Sequence, residues 1–177
     1  MIDQHTSVDT LAESQRKMFR DAMACVGAAA HIVTSDGPGG KVGFSATAVC
    51  SVTDAPPTLL ICLNRSASVY EAVMKNRRIC VNTIAPQHQA LALLFGGKSA
   101  QSDRFSSGKW TDVKGVPPVL KDALVSFNGL ISETSRIGTH DILYVELDEI
   151  RINPDNNKGV VYFQRDFYEV AAHIASL

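Results

Sequence analysis

The sequence predicts a mainly β protein: an antiparallel barrel with Greek-key links, decorated by short helices. Three observations carry this. Strand-like segments outnumber helical ones, about six or seven against three. Strand and helix do not alternate regularly, which argues against a doubly wound parallel sheet. Two long strand-like segments, 123–136 and 140–152, are joined only by "IGT", a link too short for anything but an antiparallel pair.

In chain order, residues 8–27 read as a helix, with Leu11, Met18, Phe19, Ala22, Met23 and Val26 roughly on one face and Gly27 as its stop. Segment 29–35 reads as a strand. "DGPGGK" is a turn, and "GFSATAVCSV" (43–52) returns as the partner strand, so that 29–53 forms a hairpin. "DAPP" breaks the chain before the apolar strand 58–64. A short helix starts in "SASVYEAVMKN", where Ser68 and Glu71 have capping-box spacing. Strand 79–85 and helix 86–97 follow, then a long polar loop, 98–119. After the two long strands, 160–170 closes the chain as a strand and tail.

Composition narrows the function. The chain has 177 residues, 45% hydrophobic and 20% charged, with a net charge of −1. This suits one soluble domain with a real core, and it disfavours a sequence-independent nucleic-acid binder, which would be basic. No apolar stretch is long enough for a membrane span, and the N-terminus has no signal-peptide character. The four cysteines form no CxxC pair. Three lie in apolar runs and are expected to be buried, as reduced thiols of a cytoplasmic chain. The five histidines show no metal-ligand spacing with them, so no metal is expected. His31 is expected in the core or an interface, and His5, His88 and His173 at the surface.

Four places could carry chemistry. In 64–68 a strand runs into a helix start bearing Ser66 and Ser68, with Arg65 beside them; this suits either a phosphate or a helix cap. In 43–47 the small Gly43, Ser45, Ala46 and Thr47 leave room for a flat ligand against the backbone, though an exposed strand face reads the same way. His140, just past a glycine turn, can position a substrate or carry a proton. Lys98 and Arg104, after Gly96-Gly97, put positive charge on a loop that could act as a lid or simply be solvated. There is no P-loop, GxGxxG or GxSxG.

"FRDAM" (19–23), "GFSATAVCSVTDAPPTLLICLN" (43–64), "CVNTI" (80–84), "PVLKDALVSF" (118–127), "IGTHDILYVELDEI" (137–150) and "GVVYFQRDFYEV" (159–170) together resemble the short-chain flavin reductases. These are the reductase components of two-component flavin monooxygenases. The likeness is nearest to the 4-hydroxyphenylacetate 3-monooxygenase reductase component, and almost as near to the pyrimidine-utilisation flavin reductase. It leaves residues 1–18 outside as an N-terminal arm and makes 19–177 the reductase domain. It implies a split, FMN-binding β-barrel, a homodimer, and transfer of hydride from NADH or NADPH to FMN or FAD for a separate oxygenase. By this likeness Gly43, Ser45, Ala46 and Thr47 line the isoalloxazine. Asn64, Arg65, Ser66 and Ser68 hold the ribityl phosphate, helped by Lys98 or Arg104, and His140 meets the nicotinamide. A reductase that keeps its FMN and reduces another acceptor, such as a corrin cobalt, would use the same motifs, as would a non-catalytic flavin-binding protein.

Overall fold

The computed structural model describes residues 4–171. Helix α1 (Gln4–Ala24) is followed by strands β1 (Ala28–Ala29), β2 (His31–Ser35), β3 (Val42–Ala46), β4 (Val49–Asp54) and β5 (Pro57–Asn64). Next come helix α2 (Tyr70–Asn76), strand β6 (Arg78–Thr83), a 3₁₀ turn (Pro86–His88), helix α3 (Gln89–Gly96) and a single-turn helix α4 (Gln101–Arg104). Strands β7 (Val125–Ile137), β8 (His140–Ile152), β9 (Lys158–Phe163) and β10 (Asp166–Ala171) complete the chain.

Seven strands form one antiparallel sheet in the order β3-β2-β6-β7-β8-β5-β4. Its two edges are consecutive in the chain, separated only by Thr47 and Ala48. Two residues span less than ~10 Å, so the sheet must curl until its edges nearly meet. The result is the expected mainly β barrel, left split at that corner. Inside it lie Ile61, Val73, Ile79, Val81, Leu143 and Val145, all with no exposed surface. Outside it, α3 and a small sheet of β1, β9 and β10 cover a second core around Ile32, Ile84, Phe95 and Leu120.

Several local expectations are corrected. The stretch 43–52 is not one return strand. Its first half, β3, pairs with β2, whereas its second half, β4, pairs with β5 at the opposite end of the sheet. Segment 160–170 lies within a hairpin, β9–β10, turning at Gln164 and Arg165, both at positive φ. The predicted loop holds one helical turn, α4. Helix α1 passes through residues 18 and 19 without a break.

His88 is buried, not at the surface, because its Nδ1 accepts the Ala85 amide at 3.2 Å. The side chains of His5 and His173 lie outside the described residues. The sequence leads one to expect three buried cysteines, but only Cys80 is buried; Cys62 is partly buried and Cys25 and Cys50 are exposed, while burial pushes the Cys80 thiol up to about 12 and keeps it protonated.

His31 is buried in β2, with Nδ1 and Thr83 Oγ1 3.1 Å apart. Burial pushes its imidazole down from 6.5 to about 4. The unfolded chain therefore binds a proton that the fold refuses until about pH 4. The resulting stability, about 3 kcal/mol, is complete above the unfolded value and is lost as pH falls from 6.5 toward 4. His88, also lowered by burial, adds to the same slope. His31→Asn is expected to flatten part of this acid loss, read as urea midpoints between neutral pH and pH 4.

Candidate functional site

The site grows from the free edge of β3. An edge strand turns alternate N–H and C=O groups away from its neighbour. At Gly43 both outward groups are satisfied: the amide donates to Gln101 Oε1 at 2.8 Å and the carbonyl accepts Arg104 Nη1 at 2.8 Å. The same alternation aims the amide and carbonyl of Ser45 outward, and among the described residues neither has a protein partner. Three residues on, the Ala48 carbonyl is taken again, by the Cys62 amide at 3.1 Å. Between two satisfied points the edge thus leaves the Ser45 amide and carbonyl open toward a cleft of about 410 Å³.

The cleft is lined on this side by Ser45, Ala46 and Thr47, and on the other by Asn64, Ser68 and His140. Asn64 and His140 are cross-strand partners at the ends of β5 and β8, which is why residues 76 positions apart share a wall. Asn64 Oδ1 accepts both the amide and the hydroxyl of Ser66, each at 2.9 Å, and so shapes the turn before α2. The Arg65 amide donates to the Thr139 carbonyl at 3.0 Å, tying that turn to the β7–β8 hairpin. His140 Nδ1 lies 2.9 Å from Thr139 Oγ1.

Sequence reasoning missed the group that braces this wall. Asp141 is buried beside His140 and accepts the Tyr70 hydroxyl at 2.5 Å and Arg136 Nε at 3.3 Å. The Tyr70 hydrogen bond, then Arg136, hold its carboxyl below the usual carboxylate range against the opposing effect of burial. Buried Arg65 Nε, with no hydrogen-bond partner, faces the same carboxylate at 3.9 Å. The signal was a charged residue inside an apolar strand, "HDILYV".

The other expected residues divide. Gly43 does not make room for a ligand: a Cβ there would sit 2.5 Å from Phe95 Cε1, so its smallness serves the Phe95, Phe105 and Trp110 cluster. The Ser45 hydroxyl donates to the Ala92 carbonyl at 2.5 Å, which leaves its backbone as the free donor. The expected serine cap of α2 does not form. Val69 caps α2 without a side-chain bond, Ser66 is held inside the turn, and Ser68 lines the cleft.

Arg104 is buried, and all five N–H donors reach carbonyls of Gly43, Phe95, Gly97 and Ser99; burial lowers its pKa. The segment expected to move as a lid is pinned there. Lys98 is exposed and off the cleft wall. Arg65 turns away, donating Nη2 to the Gly138 carbonyl at 2.7 Å.

A split antiparallel barrel with a cleft at its open corner, offering backbone groups on one wall and hydroxyl, amide and imidazole groups on the other, defines a small-molecule-binding barrel. Residues 23–171 match the family described as flavin reductase like domain. The chain belongs to that family. It is 48% identical over 164 residues to FMN reductase (NADH) RutF of Pantoea ananatis, covering 93% of this chain and 86% of that protein. A crystal structure titled a putative flavin reductase, from Haemophilus somnus 129PT, superposes with a TM-score of 0.82 at 42% identity, covering 87% and 98% of the two chains. The flavin reductase component of a bacterial two-component tryptophan halogenase shares the fold, with a TM-score of 0.81 at 20% identity over 89% and 99%. A relative from Enterobacter sp. strain 638, 51% identical over 150 residues, covering 85% of this chain and 91% of that protein, also carries the name FMN reductase (NADH) RutF, so the likeness is not specifically to the 4-hydroxyphenylacetate component.

Gly43→Ala is expected to fold but to lose about 1–3 kcal/mol, because Phe95 must shift in a filled cluster. Urea unfolding followed by the emission of the single tryptophan, Trp110, reads both the loss and the displacement.

Proposed function

We propose that this chain is an NADH-dependent FMN reductase that hands reduced flavin to a separate oxygenase. The observation that carries the reading is the amide and carbonyl of Ser45 on the cleft wall, without partners among the described residues, a donor and acceptor pair suited to the polar edge of an isoalloxazine. The names of the relatives, FMN reductase (NADH), support FMN over FAD and NADH over NADPH. A neighbour described as the reductase component of a two-component enzyme supports a diffusible product.

In this reading the backbone of Ser45, with Ala46 and Thr47, orients the ring. Asn64 and Ser68 take the ribityl phosphate, and His140 closes the nicotinamide side. When bound, the flavin accepts a hydride from NADH, so the protein needs no acid–base dyad and acts by binding and alignment. Arg104, Gly43, Ser66 and Arg65 support the site from behind. The partner oxygenase is one acting in pyrimidine breakdown, by likeness to the RutF relatives. Exposed Leu11, Met18, Phe19 and Met23 on α1 favour a homodimer, with this face of the helix contributing to pairing rather than to chemistry. No helix among the described residues is long and apolar enough to cross a membrane, which agrees with a cytoplasmic enzyme.

Aerobic NADH oxidation is expected to depend on added FMN and to saturate in it; oxidation indifferent to added FMN overturns the exchange of flavin. Ala46→Leu is expected to keep the fold and lose flavin binding, read by fluorescence quenching. His140→Ala is expected to raise the KM for NADH about tenfold, the scale of one lost hydrogen bond to a ligand, with flavin affinity unchanged.

A further inference from the structure

Two arginines face one oxygen of Asp141. Oδ1 lies 3.3 Å from Arg136 Nε and 3.9 Å from Arg65 Nε. The two contacts differ in kind. Arg136 donates a hydrogen bond from a side chain that is 65% exposed. Arg65 Nε is buried and has no hydrogen-bond partner, so it is drawn toward the carboxylate by charge alone. Among the described residues the rest of that guanidinium makes one hydrogen bond, from Nη2 to the Gly138 carbonyl at 2.7 Å.

Arg65 belongs to the turn that borders the cleft. Asn64, Ala67 and Ser68 of the same turn line the cleft, and Arg65 does not. Among the described residues Arg104 is the one cation on the lining, and its donors are all taken by carbonyls. Arg65 is therefore the cation that this turn could offer a phosphate, and it is turned aside. A phosphate gives a guanidinium two charge-assisted bonds. A single neutral carbonyl, such as Gly138, does not compete with that. A carboxylate does, and this one is buried, where salt screens it little. The hydrogen bond from Tyr70, then that from Arg136, keep it ionised.

We propose that Asp141 holds Arg65 off the flavin phosphate and thereby makes the flavin an exchangeable substrate rather than a retained cofactor. Asp141 is then a positioning residue that acts through Arg65. It lines no part of the cleft itself, yet it sets how long reduced flavin stays there. This rests on the flavin-reductase reading given above, with the phosphate at Asn64 and Ser68.

The test compares FMN with riboflavin, which differs from it only in lacking the phosphate. Affinities are read by quenching of flavin fluorescence, and release rates by stopped flow. Asp141→Asn keeps the size of the side chain and can still accept the Tyr70 hydroxyl, but it removes the charge. It is expected to tighten FMN binding about tenfold and to slow FMN release, with riboflavin affinity unchanged. Adding Arg65→Gln to that variant is expected to abolish the gain. A purely structural role gives the opposite result: both flavins weaken together and the urea midpoint falls. That outcome overturns the proposal. So does a tightening that riboflavin shares, or one that survives the loss of Arg65. If Asp141→Asn does not fold, Arg65→Gln alone decides: a fall in FMN affinity that riboflavin does not share means that Arg65 already holds the phosphate and overturns the proposal, whereas equal changes for the two flavins support it. If the wild-type protein oxidises NADH with neither flavin, the reductase reading fails, and the two affinities still decide the role of Asp141. Binding of neither flavin overturns both.

Discussion

The free edge of β3 must find partners for its outward amides and carbonyls, and the arrangement of the site follows from how it does so. At Gly43 the partners are Gln101 and Arg104. At Ala48 the partner is the Cys62 amide of β5. The first contact recruits the segment after α3, because Arg104 also gathers the carbonyls that end that helix, at Phe95, Gly97 and Ser99. The second draws the opposite edge of the sheet close. Ser45, between them, is left facing the cleft. An unpaired edge is ordinarily a liability; here it is covered at both ends and left open for the length of one small heterocycle.

The facing wall depends on a buried charge. Asp141 sits at the start of β8, one residue from His140, and draws Tyr70 of α2 and Arg136 of β7 onto itself. Three elements distant in sequence, the turn before α2 and both strands of the long hairpin, are thereby held together at one end of the barrel. A carboxylate there is costly unless it is paired and hydrogen-bonded. It keeps its charge because its partners favour the ionised form, and the pairing also fixes where Asn64 and His140 point. The two walls are therefore built differently, one by backbone alternation and the other by a side-chain network.

What was legible in the sequence follows the same division. Strand identity, the long C-terminal hairpin and the mainly β class could be read, because they rest on local preference and periodicity. The split of 43–52 could not: Thr47-Ala48 carries no glycine or proline, and only the tertiary closure of the barrel breaks the strand there. The family motif named Ser45, Ala46, Thr47, Ser68 and His140, which line one cleft, but it did not show which atoms there are already satisfied. Gly43 looked like ligand space and proved to be space for Phe95. Arg104 looked like phosphate charge and proved to be a clamp on carbonyls. Sequence spacing shows which groups are near; which of them are already satisfied depends on long-range packing, as Asp141 shows most clearly.

The distribution of charge bears on how the flavin is held. Three cations were candidates for its phosphate, yet Arg104 has spent its donors on carbonyls, Arg65 turns toward Gly138 and Asp141, and Lys98 stands off the wall. Among the described residues, the cleft lining offers neutral groups instead, among them the Ser45 backbone, the Asn64 side-chain amide, the Ser68 hydroxyl and the His140 ring. Hydrogen bonds to neutral groups contribute about half as much as charge-assisted ones. On the proposed reading a flavin phosphate in this cleft would be held without a side-chain cation, hence more weakly than by charge-assisted bonds, and such differences lie mostly in the off-rate. A reductase that must give its flavin away is served by that weakness, whereas one that retained its flavin would need the cations turned inward.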